Sequence, residues 1–330
     1  MASRKERVRK AYLGNGLNHR EYKAYAEKVM EDRLHDDARR DITAEAVLKK
    51  DSTVYGIIKA KGKGILAGLE EVLAFYARHN VKAKALKQDG DSLKKGDVVA
   101  ELKGNGKDFL RVERTGLNLL ERMSGIATQT KKLVDRAGRY GVKIVGTRKT
   151  ILHSMDKKAI LVGGGLPHRM SLYDGILIKD NHLHAIKEEG VEDEIETAIE
   201  RAYAWSGKND TKFIEVEVSN FGEVIRAAKK FKEMLTVRLS AKASRDVKEI
   251  RRIPCIILLD NMKSAVIRKT VDALKKKGLY DYVLLEASGG VTEKNLKHYA
   301  SSGVDVISMG ALTHSVKALD MNQKMIKKEK

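Results

Sequence analysis

Residues 253–261 read IPCIILLDN, and residues 282–290 read YVLLEASGG. Each stretch is an apolar run that ends in polar or glycine residues. Continuous Val, Ile and Leu runs are typical of strands that are buried on both faces of a parallel sheet. We expect the similar runs after residue 140 to be strands as well: VKIVGTRK (142–149), AILVGGG (159–165), GILIKDN (175–181), FIEVEVS (213–219), LTVRLSA (235–241) and VDVISMG (304–310).

Amphipathic segments separate several of these runs, for example at residues 184–205, 220–234 and 291–301. Their apolar residues recur at helical spacing, so the pattern is strand followed by helix. Seven or eight such units favour a (β/α) barrel over an open sheet, and barrel enzymes place their catalytic residues at the carboxyl ends of the strands. The sequence therefore predicts an α/β catalytic region with its site at that end.

The region before residue 140 has a different pattern. Residues 51–68 alternate as a hairpin would, residues 69–80 have helical spacing, and residues 85–107 read as short strands joined by Asp-Gly and Lys-Gly turns. One or two long helices are expected over residues 113–141. This mixture predicts a separate α+β region, preceded by a loose, basic lead-in at residues 1–18.

The composition of the chain excludes several classes of protein. The 330 residues carry 65 Lys+Arg and 45 Asp+Glu, a net charge of +20, with one Cys. There is no disulfide framework, no apolar stretch near the roughly 20 residues of a membrane helix, and no signal-peptide core at the start. With five Phe and one Trp and with dispersed Lys residues, nucleic acid is not an expected partner. A cytoplasmic protein without a membrane partner is expected.

Cationic side chains follow several of the predicted strands. They are Arg148, Lys149, His168, Arg169 and Lys179, and Arg114 joins them from the first region. Single members of such a set often form structural salt bridges, but clustered cations near buried strands repel one another unless they bind an anion. Arg binds a carboxylate with two hydrogen bonds, and the single positive charge of Lys attracts phosphate. The set predicts an anion pocket.

A second set consists of acidic and glycine-rich strand ends. Glu217 and Asp260 each end a predicted strand and could hold sugar hydroxyls or Mg²⁺. The turns Ser288-Gly289-Gly290 and Gly310 to His314 each lead from a strand towards a helix. Such turns bind phosphate through their backbone amides. The residues alone predict an enzyme that binds a carboxylate substrate beside a phosphorylated co-substrate with Mg²⁺.

Taken in order, these motifs resemble the quinolinate phosphoribosyltransferase family, also called nicotinate-nucleotide pyrophosphorylase (carboxylating). The resemblance rests on GTRKT, GGG-x-x-HR, LIKDNH, EVEV, LLDNM, EASGG and the closing segment YASSGVDVISMGALTHSVKALD, with weaker matches in the first region. It covers the chain from about Tyr22 to Met325.

The resemblance implies an N-terminal α+β open-faced sandwich domain and an incomplete (β/α) barrel of about seven strands. The implied divisions are residues 19–124 for the sandwich, 125–311 for the barrel, and 312–330 for a helix that returns to the N-terminal domain. Members of the family form homodimers with a shared active site, and assembly into a hexamer is left open. The implied reaction transfers a phosphoribosyl group from phosphoribosyl pyrophosphate to quinolinate, releases pyrophosphate and CO₂, and gives nicotinate mononucleotide for NAD synthesis.

The resemblance also assigns roles to residues. The pyridine carboxylates would be bound by Arg148, His168, Arg169, Lys179 and, from the partner subunit, Arg114. Phosphoribosyl pyrophosphate would be bound by Lys149, Glu217, Asp260, Ser288, Gly289, Gly290, Gly310 and His314. The implied catalytic residues are Lys149, Lys179, Glu217 and Asp260, and the last two would hold Mg²⁺ directly or through water.

The chain departs from the family pattern at two places. After Thr150 the family has Pro-Gly and then Arg, whereas residues 151–161 read ILHSMDKKAIL, with His153 where that Arg is expected. The span from Glu217 to Asp260 is longer than in the family, which predicts an insertion at residues 231–253. The first departure keeps other acceptors open, such as nicotinate or the acid of a molybdenum-linked paralogue. A binding protein that reuses the fold is a further alternative, but it predicts a degraded site.

Overall fold

The structure is a computed structural model, and it describes residues 3–13, 17–48, 52–243 and 253–327. The helices are α1 Arg4–Leu13, α2 His19–Asp37, α3 Ile42–Val47, α4 Leu69–Arg78, α5 Gly106–Gly138, α6 His153–Val162, α7 Asp180–Glu188, α8 Glu194–Ser206, α9 Phe221–Ala243, α10 Ser264–Lys276, α11 Leu296–Ala300 and α12 Ala311–His314. The strands are β1 Thr53–Ala60, β2 Gly64–Ile65, β3 Lys82–Ala85, β4 Ser92–Leu93, β5 Val98–Asn105, β6 Lys143–Val145, β7 Ile176–Ile178, β8 Ile214–Val218, β9 Cys255–Asp260, β10 Leu284–Ser288, β11 Val306–Ser308 and β12 Met321–Ile326.

The chain divides into two compact units that interleave along the sequence. Unit 1 comprises Met1–Gly14, Leu133–Arg148 and Leu166–Met309, and unit 2 comprises Asn15–Lys132, Lys149–Gly165 and Gly310–Lys330. The expected domains, by contrast, are contiguous over residues 19–124 and 125–311. The chain therefore passes between the units several times.

The sheet of unit 1 is parallel and has the order β6-β11-β10-β9-β8-β7. Strands β7 to β11 are neighbours in the order of the sequence, and β6 lies beside β11. On its other side, Val145 of β6 forms a parallel bridge to Leu166. Within the described residues no ladder joins Leu166 to β7. The predicted incomplete barrel is confirmed, and the expected seventh strand is reduced to one bridging residue.

Helix α1 belongs to the core of unit 1. Val8, Ala11 and Tyr12 are buried against residues at the amino ends of the strands, such as Ile256 and Leu284. This corrects the expectation of a loose lead-in at residues 1–18. Most residues of the helix are polar or basic, so the composition did not reveal its small apolar face. The parts of that lead-in at residues 1–2 and 14–16 lie outside the described residues.

Two of the expected strands are helical. Residues 159–162 of the run AILVGGG lie in α6, and the run LTVRLSA lies in α9. A short apolar run has the same composition in a buried strand and on the buried face of a helix, so the pattern could not separate the two. The predicted insertion at residues 231–253 begins within α9, and its residues 244–252 lie outside the described part of the chain.

Unit 2 contains a four-stranded antiparallel sheet with the order β12-β1-β5-β3. The predicted hairpin over residues 51–68 is wrong, because β1 pairs with β5 and β12 while β2 pairs with β4. The expected C-terminal helix is also corrected: beyond the four residues of α12 the chain forms β12, which pairs with β1 from Met321 to Ile326. Met321 and Gln323 are buried. Their alternation along the chain is the period of a strand.

The long helix α5 forms as the sequence predicts and runs without interruption for 33 residues. Across the described residues, none of the helices combines the length and the apolar content that crossing a membrane requires.

Candidate active site

In unit 1 the carboxyl ends of adjacent parallel strands carry the predicted polar residues. Lys179 follows β7, Glu217 lies in β8, and Asp260 and Ser288 are the last residues of β9 and β10. Asp260 and Ser288 are paired in register. The Nζ atom of Lys179 lies 3.6 Å from Oε2 of Glu217. The sheet therefore brings this part of the predicted set together.

Glu217 is a half-buried carboxylate in an acidic cleft of about 420 Å³, which Asp180 and Asp260 also line. Burial raises the pKa of Glu217, and the charges of Asp260 and Asp180 raise it further, while Lys179 opposes them. Several carboxylate oxygens that disfavour one another's charge form an environment that a cation would stabilise.

The turn after β10 is held close to the end of β9. Gly289 and Gly290 have φ of +82° and +59°, and a methyl group on Gly289 would lie 2.3 Å from Oδ1 of Asn261. The amide of Asn261 donates to the carbonyl of Ser288 at 2.9 Å. Helix α11 begins only at Leu296. The predicted phosphate turn is thus glycine-dependent, but its backbone amides rather than a helix end are what it can offer a phosphate.

Arg148 and Arg169 form the cationic part of unit 1. Arg169 is 7% exposed, and its Nη1 atom donates to the carbonyl of Gly175 at 3.4 Å. Burial lowers the pKa of Arg169, and the charge of the exposed Arg148 lowers it further, while Glu215 and Asp174 oppose them. Two positive charges that disfavour each other in a partly desolvated place are suited to an anion, which would stabilise both.

His168 lies deeper in unit 1, in contact with two buried carboxylates that the sequence analysis did not single out. Its Nε2 atom is 3.3 Å from Glu215 and 3.5 Å from Glu286. The hydroxyl of Tyr12 donates to Glu286 at 2.5 Å. The backbone nitrogen of Arg169 lies 2.8 Å from Nδ1 of His168. His168 therefore connects the carboxylates of the core with the backbone of Arg169.

The titratable groups in this buried cluster change one another's pKa values. Burial lowers the pKa of His168, but Glu286 and Glu215 outweigh it and raise the pKa to about 9. Burial and the charge of Glu286 raise the pKa of Glu215 to about 7. Burial also disfavours the charge of Glu286, but His168 and the Tyr12 hydroxyl overcome it and lower the pKa of that carboxyl. One ring atom and two carboxylates lie within 4.8 Å of one another. His168 and Arg169 favour the charged form of Glu215 and so oppose the rise of its pKa.

Unit 2 brings together the other phosphate-binding candidates. A methyl group at Gly310 would lie 3.0 Å from Cδ2 of His314 and 3.3 Å from Cδ of Lys149. The hydroxyl of Thr313 donates to the carbonyl of Lys149 at 2.6 Å. The side chains of Lys149 and His314 therefore lie close against Gly310, and a methyl group there would have to displace them slightly.

Arg114 also lies in unit 2, where it lines a cleft of about 480 Å³ together with Arg33, Asn118 and Arg122. Ile151 and Leu152, from the segment that departs from the family pattern, line the same cleft. The altered segment therefore lies beside one of the predicted carboxylate-binding residues.

Sequence reasoning missed the residues that support the site. Glu215 and Glu286 lie inside apolar strands, Tyr12 lies in the supposed lead-in, and Asp156 lies in a segment expected to be partly strand. A charged residue within an apolar run was the available signal, because buried charges are rare unless they are paired.

Comparison with protein families gives two matches. Residues 126–324 match the C-terminal domain of quinolinate phosphoribosyl transferase, and residues 41–124 match its N-terminal domain.

Individual relatives agree with these matches. The chain is 37% identical over 286 residues to a probable nicotinate-nucleotide pyrophosphorylase [carboxylating] of Methanothermobacter thermautotrophicus, covering 86% of this chain and 92% of that protein. It is 36% identical over 293 residues to the chloroplastic nicotinate-nucleotide pyrophosphorylase [carboxylating] of Arabidopsis thaliana, covering 86% and 78%. The solved nicotinate-nucleotide pyrophosphorylase of Francisella tularensis matches with a TM-score of 0.74 at 29% identity, covering 92% of this chain and 97% of that one. With its strand-end residues in the arrangement described above, the chain belongs to the quinolinate phosphoribosyltransferase family.

Proposed function

We propose that this protein transfers the phosphoribosyl group of phosphoribosyl pyrophosphate to quinolinate and releases pyrophosphate and CO₂. The product is nicotinate mononucleotide, which serves NAD synthesis. The observation that carries the proposal is that the buried Arg169 and the exposed Arg148, whose charge acts on it, belong to the unit whose strand ends carry Lys179, Glu217 and Asp260. A dianionic acid would stabilise Arg148, Arg169 and Lys179, and the hydroxyls of a ribose would suit Glu217 and Asp260.

The chemistry requires orientation more than proton transfer. The pyridine nitrogen attacks C1 of the ribose while the bond from C1 to the pyrophosphate oxygen breaks. The resulting pyridinium accepts the electron pair of the bond to the adjacent carboxylate, CO₂ leaves, and the ring carbon takes a proton from water. Arg148, Arg169 and Lys179 would bind the two carboxylates and so direct the nitrogen at C1. His168 would fix the backbone of Arg169 through its contact with that amide.

The family resemblance assigns the phosphorylated substrate to several of the residues described above. The glycine turn at residues 288–290 offers backbone amides, and Lys149 and His314 offer charge and hydrogen bonds beside Gly310. Glu217 and Asp260 would bind the ribose hydroxyls. Positive charge develops at C1 of the ribose in the transition state, and these two carboxylates would stabilise it.

The residues fit Mg²⁺. Glu217 and Asp260 line a cleft with Asp180, and burial together with these two neighbouring carboxylates raises the pKa of Glu217 although Lys179 opposes them. Mg²⁺ prefers one or two carboxylates together with substrate phosphates. When bound there, the ion would neutralise charge on the departing pyrophosphate.

We propose further that two subunits share each site, with Arg114 acting in the site of the partner subunit. The family resemblance supports this, and so does the place of Arg114 in an open cleft that is also lined by Arg33 and Arg122. If Arg114→Ala subunits are mixed with Lys179→Ala subunits, one site in the mixed dimer regains both residues. Some activity should then return, whereas mixtures that stay inactive would contradict a shared site. Assembly into a hexamer and a cytoplasmic location remain predictions from the sequence.

The test of the reaction is a side-by-side assay with phosphoribosyl pyrophosphate and Mg²⁺, in which quinolinate or nicotinate is offered. We expect equal amounts of pyrophosphate and CO₂ from quinolinate and little turnover of nicotinate. Pyrophosphate release from nicotinate without CO₂ would show that the segment at residues 151–161 has changed the acceptor. If neither acid reacts, the proposed reaction is wrong.

A further inference from the structure

Asp156 is a buried carboxylate in the first turn of α6, within the segment that departs from the family pattern. Its side chain has no exposed surface, whereas that of Arg122 is 20% exposed. Arg122 binds it with two hydrogen bonds, from Nε to Oδ1 at 2.9 Å and from Nη2 to Oδ2 at 2.7 Å. A bidentate pair of this kind fixes the guanidinium plane as well as its position.

Asp156 also holds the segment that follows Lys149. The hydroxyl of Thr150 donates to Oδ2 of Asp156, and the amide of Leu152 approaches the same oxygen at 3.4 Å. One carboxylate therefore binds helix α5 through Arg122 and the chain beyond Lys149 through Thr150.

Arg122 has a second partner. Its Nη2 atom also donates to the carbonyl of Thr313 at 2.8 Å. The hydroxyl of Thr313 in turn donates to the carbonyl of Lys149 at 2.6 Å. The contacts form a closed circuit that runs from Arg122 to Asp156, to the Lys149–Thr150 backbone, to Thr313 and back to Arg122, and it lies within unit 2.

We propose that Arg122, Asp156 and Thr313 are positioning residues for the phosphate-binding part of the site. They set the distance between Lys149 and the turn from Gly310 to His314. This inference rests on the proposed function, because it takes Lys149, Gly310 and His314 to bind phosphoribosyl pyrophosphate.

The close packing at Gly310 explains why such a circuit is needed. The Lys149 side chain and the His314 ring both lie against Gly310, so a small shift of either backbone changes where their polar ends meet a phosphate. Misplacement by about 1 Å can cost as much as ~10²-fold in rate. In this chain, Asp156 anchors a segment that lacks the Pro-Gly of the family pattern.

The experiment uses Thr313→Val, which keeps the side-chain volume and removes the hydroxyl that binds Lys149. Asp156→Asn is the second variant, and it removes the charge that holds Arg122. The matched control is Thr270→Val, because Thr270 is equally buried and its hydroxyl donates to the carbonyl of Val266 at 3.0 Å, within α10. For each protein, calorimetry gives the Kd of phosphoribosyl pyrophosphate and of quinolinate, kinetics gives both KM values, and thermal unfolding gives the Tm.

Both test variants should raise the Kd and KM of phosphoribosyl pyrophosphate by about tenfold or more, and Thr313→Val should change those of quinolinate by less than about twofold. Thr270→Val should change neither. If Thr313→Val weakens both ligands equally, or if Thr270→Val weakens phosphoribosyl pyrophosphate as much as Thr313→Val does, the residues are merely structural and the inference is overturned.

The same measurements separate this inference from the proposed function. A wild-type protein that binds phosphoribosyl pyrophosphate but turns over neither acid would overturn the proposed acceptor, and the Kd values of the variants would still decide the positioning role. A wild-type protein that does not bind phosphoribosyl pyrophosphate would overturn both.

Discussion

Replacement of Tyr12 by Phe tests whether α1 is part of the catalytic unit. The ring of Tyr12 packs at 4.9 Å from the ring of His168 and 5.4 Å from that of Phe213, and its hydroxyl donates to Glu286. Tyr12→Phe keeps the ring contacts and leaves no large cavity. It removes only the hydroxyl, so its effect measures the bond to the buried carboxylate.

The size of the effect follows from the charge and burial of Glu286. Tyr12 is 1% exposed and Glu286 is 0% exposed, so water cannot replace the missing donor. A hydrogen bond to a charged group contributes about 1.5–3 kcal/mol, and a neutral one about 0.5–1.5 kcal/mol. We therefore expect Tyr12→Phe to lower the free energy of unfolding of unit 1 by about 1.5–3 kcal/mol.

The assay is equilibrium unfolding in urea, with Tyr280→Phe as the matched control. Tyr280 lies in the same unit, and its hydroxyl donates to the neutral carbonyl of Gly303 at 3.2 Å. Its loss should cost about 0.5–1.5 kcal/mol. If Tyr12→Phe costs no more than Tyr280→Phe, then the hydroxyl does not stabilise a buried charge and the argument fails.

The pH dependence gives an independent check. Burial disfavours the charged form of Glu286, but His168 and Tyr12 lower its pKa below the ordinary 4.5. A carboxyl with a depressed folded pKa contributes stability that is present above the unfolded value and is lost as pH falls through the folded value. The difference between wild type and Tyr12→Phe should narrow as the pH falls through the folded pKa of Glu286. A difference that grows towards acid pH would contradict this assignment.

Three further changes have expected outcomes. Gly289→Ala places a methyl group 2.3 Å from Asn261 at a φ of +82°. The KM of phosphoribosyl pyrophosphate should therefore rise, while thermal unfolding should show that the protein is still folded. An unchanged KM would mean that this turn does not belong to the site. The ammonium of Lys158 lies 2.6 Å from Glu71 and 3.0 Å from Asp89, so Lys158→Met removes the cation of both carboxylates. Urea unfolding should show that the free energy of unfolding falls by about 3–5 kcal/mol. A decrease below about 1 kcal/mol would mean that water compensates for the lost charge. Burial is the main cause of the raised pKa of Glu217, and the charge of Asp180 adds to it. Asp180→Asn should lower that pKa and so move the acid limb of the kcat/KM profile to lower pH. A shift of the limb to higher pH would exclude Glu217 as the group that must be ionised.

The strand ends of the barrel could be predicted from sequence because each one depends only on an apolar run and on the polar residue that follows it. A run such as CIILLD can be satisfied only by burial on both faces, and the polar residue that ends it must lie at the rim of a parallel sheet. This placed Asp260, Ser288 and Lys179 correctly at carboxyl ends. Their roles in binding and catalysis remain predictions that the experiments above address.

Other features depend on contacts between distant residues, and local pattern could not supply them. The segment at 321–326 is a strand because β1 offers it an edge. Helix α1 packs in the core of unit 1, where the hydroxyl of Tyr12 donates to a carboxylate 274 residues away. The circuit of Arg122, Asp156 and Thr313 likewise joins segments far apart in the chain. Pairing between distant residues overrides weak local preferences. Elements that are formed by such pairing therefore cannot be predicted from the local sequence pattern.

The pairing of β1 with β12 has a consequence for synthesis on the ribosome. Met321 of β12 emerges 261 residues after Ala60, its partner in β1. At about 5–20 residues per second, the edge of β1 waits roughly 13–50 s for that partner. During this interval an unpaired edge can recruit another nascent chain.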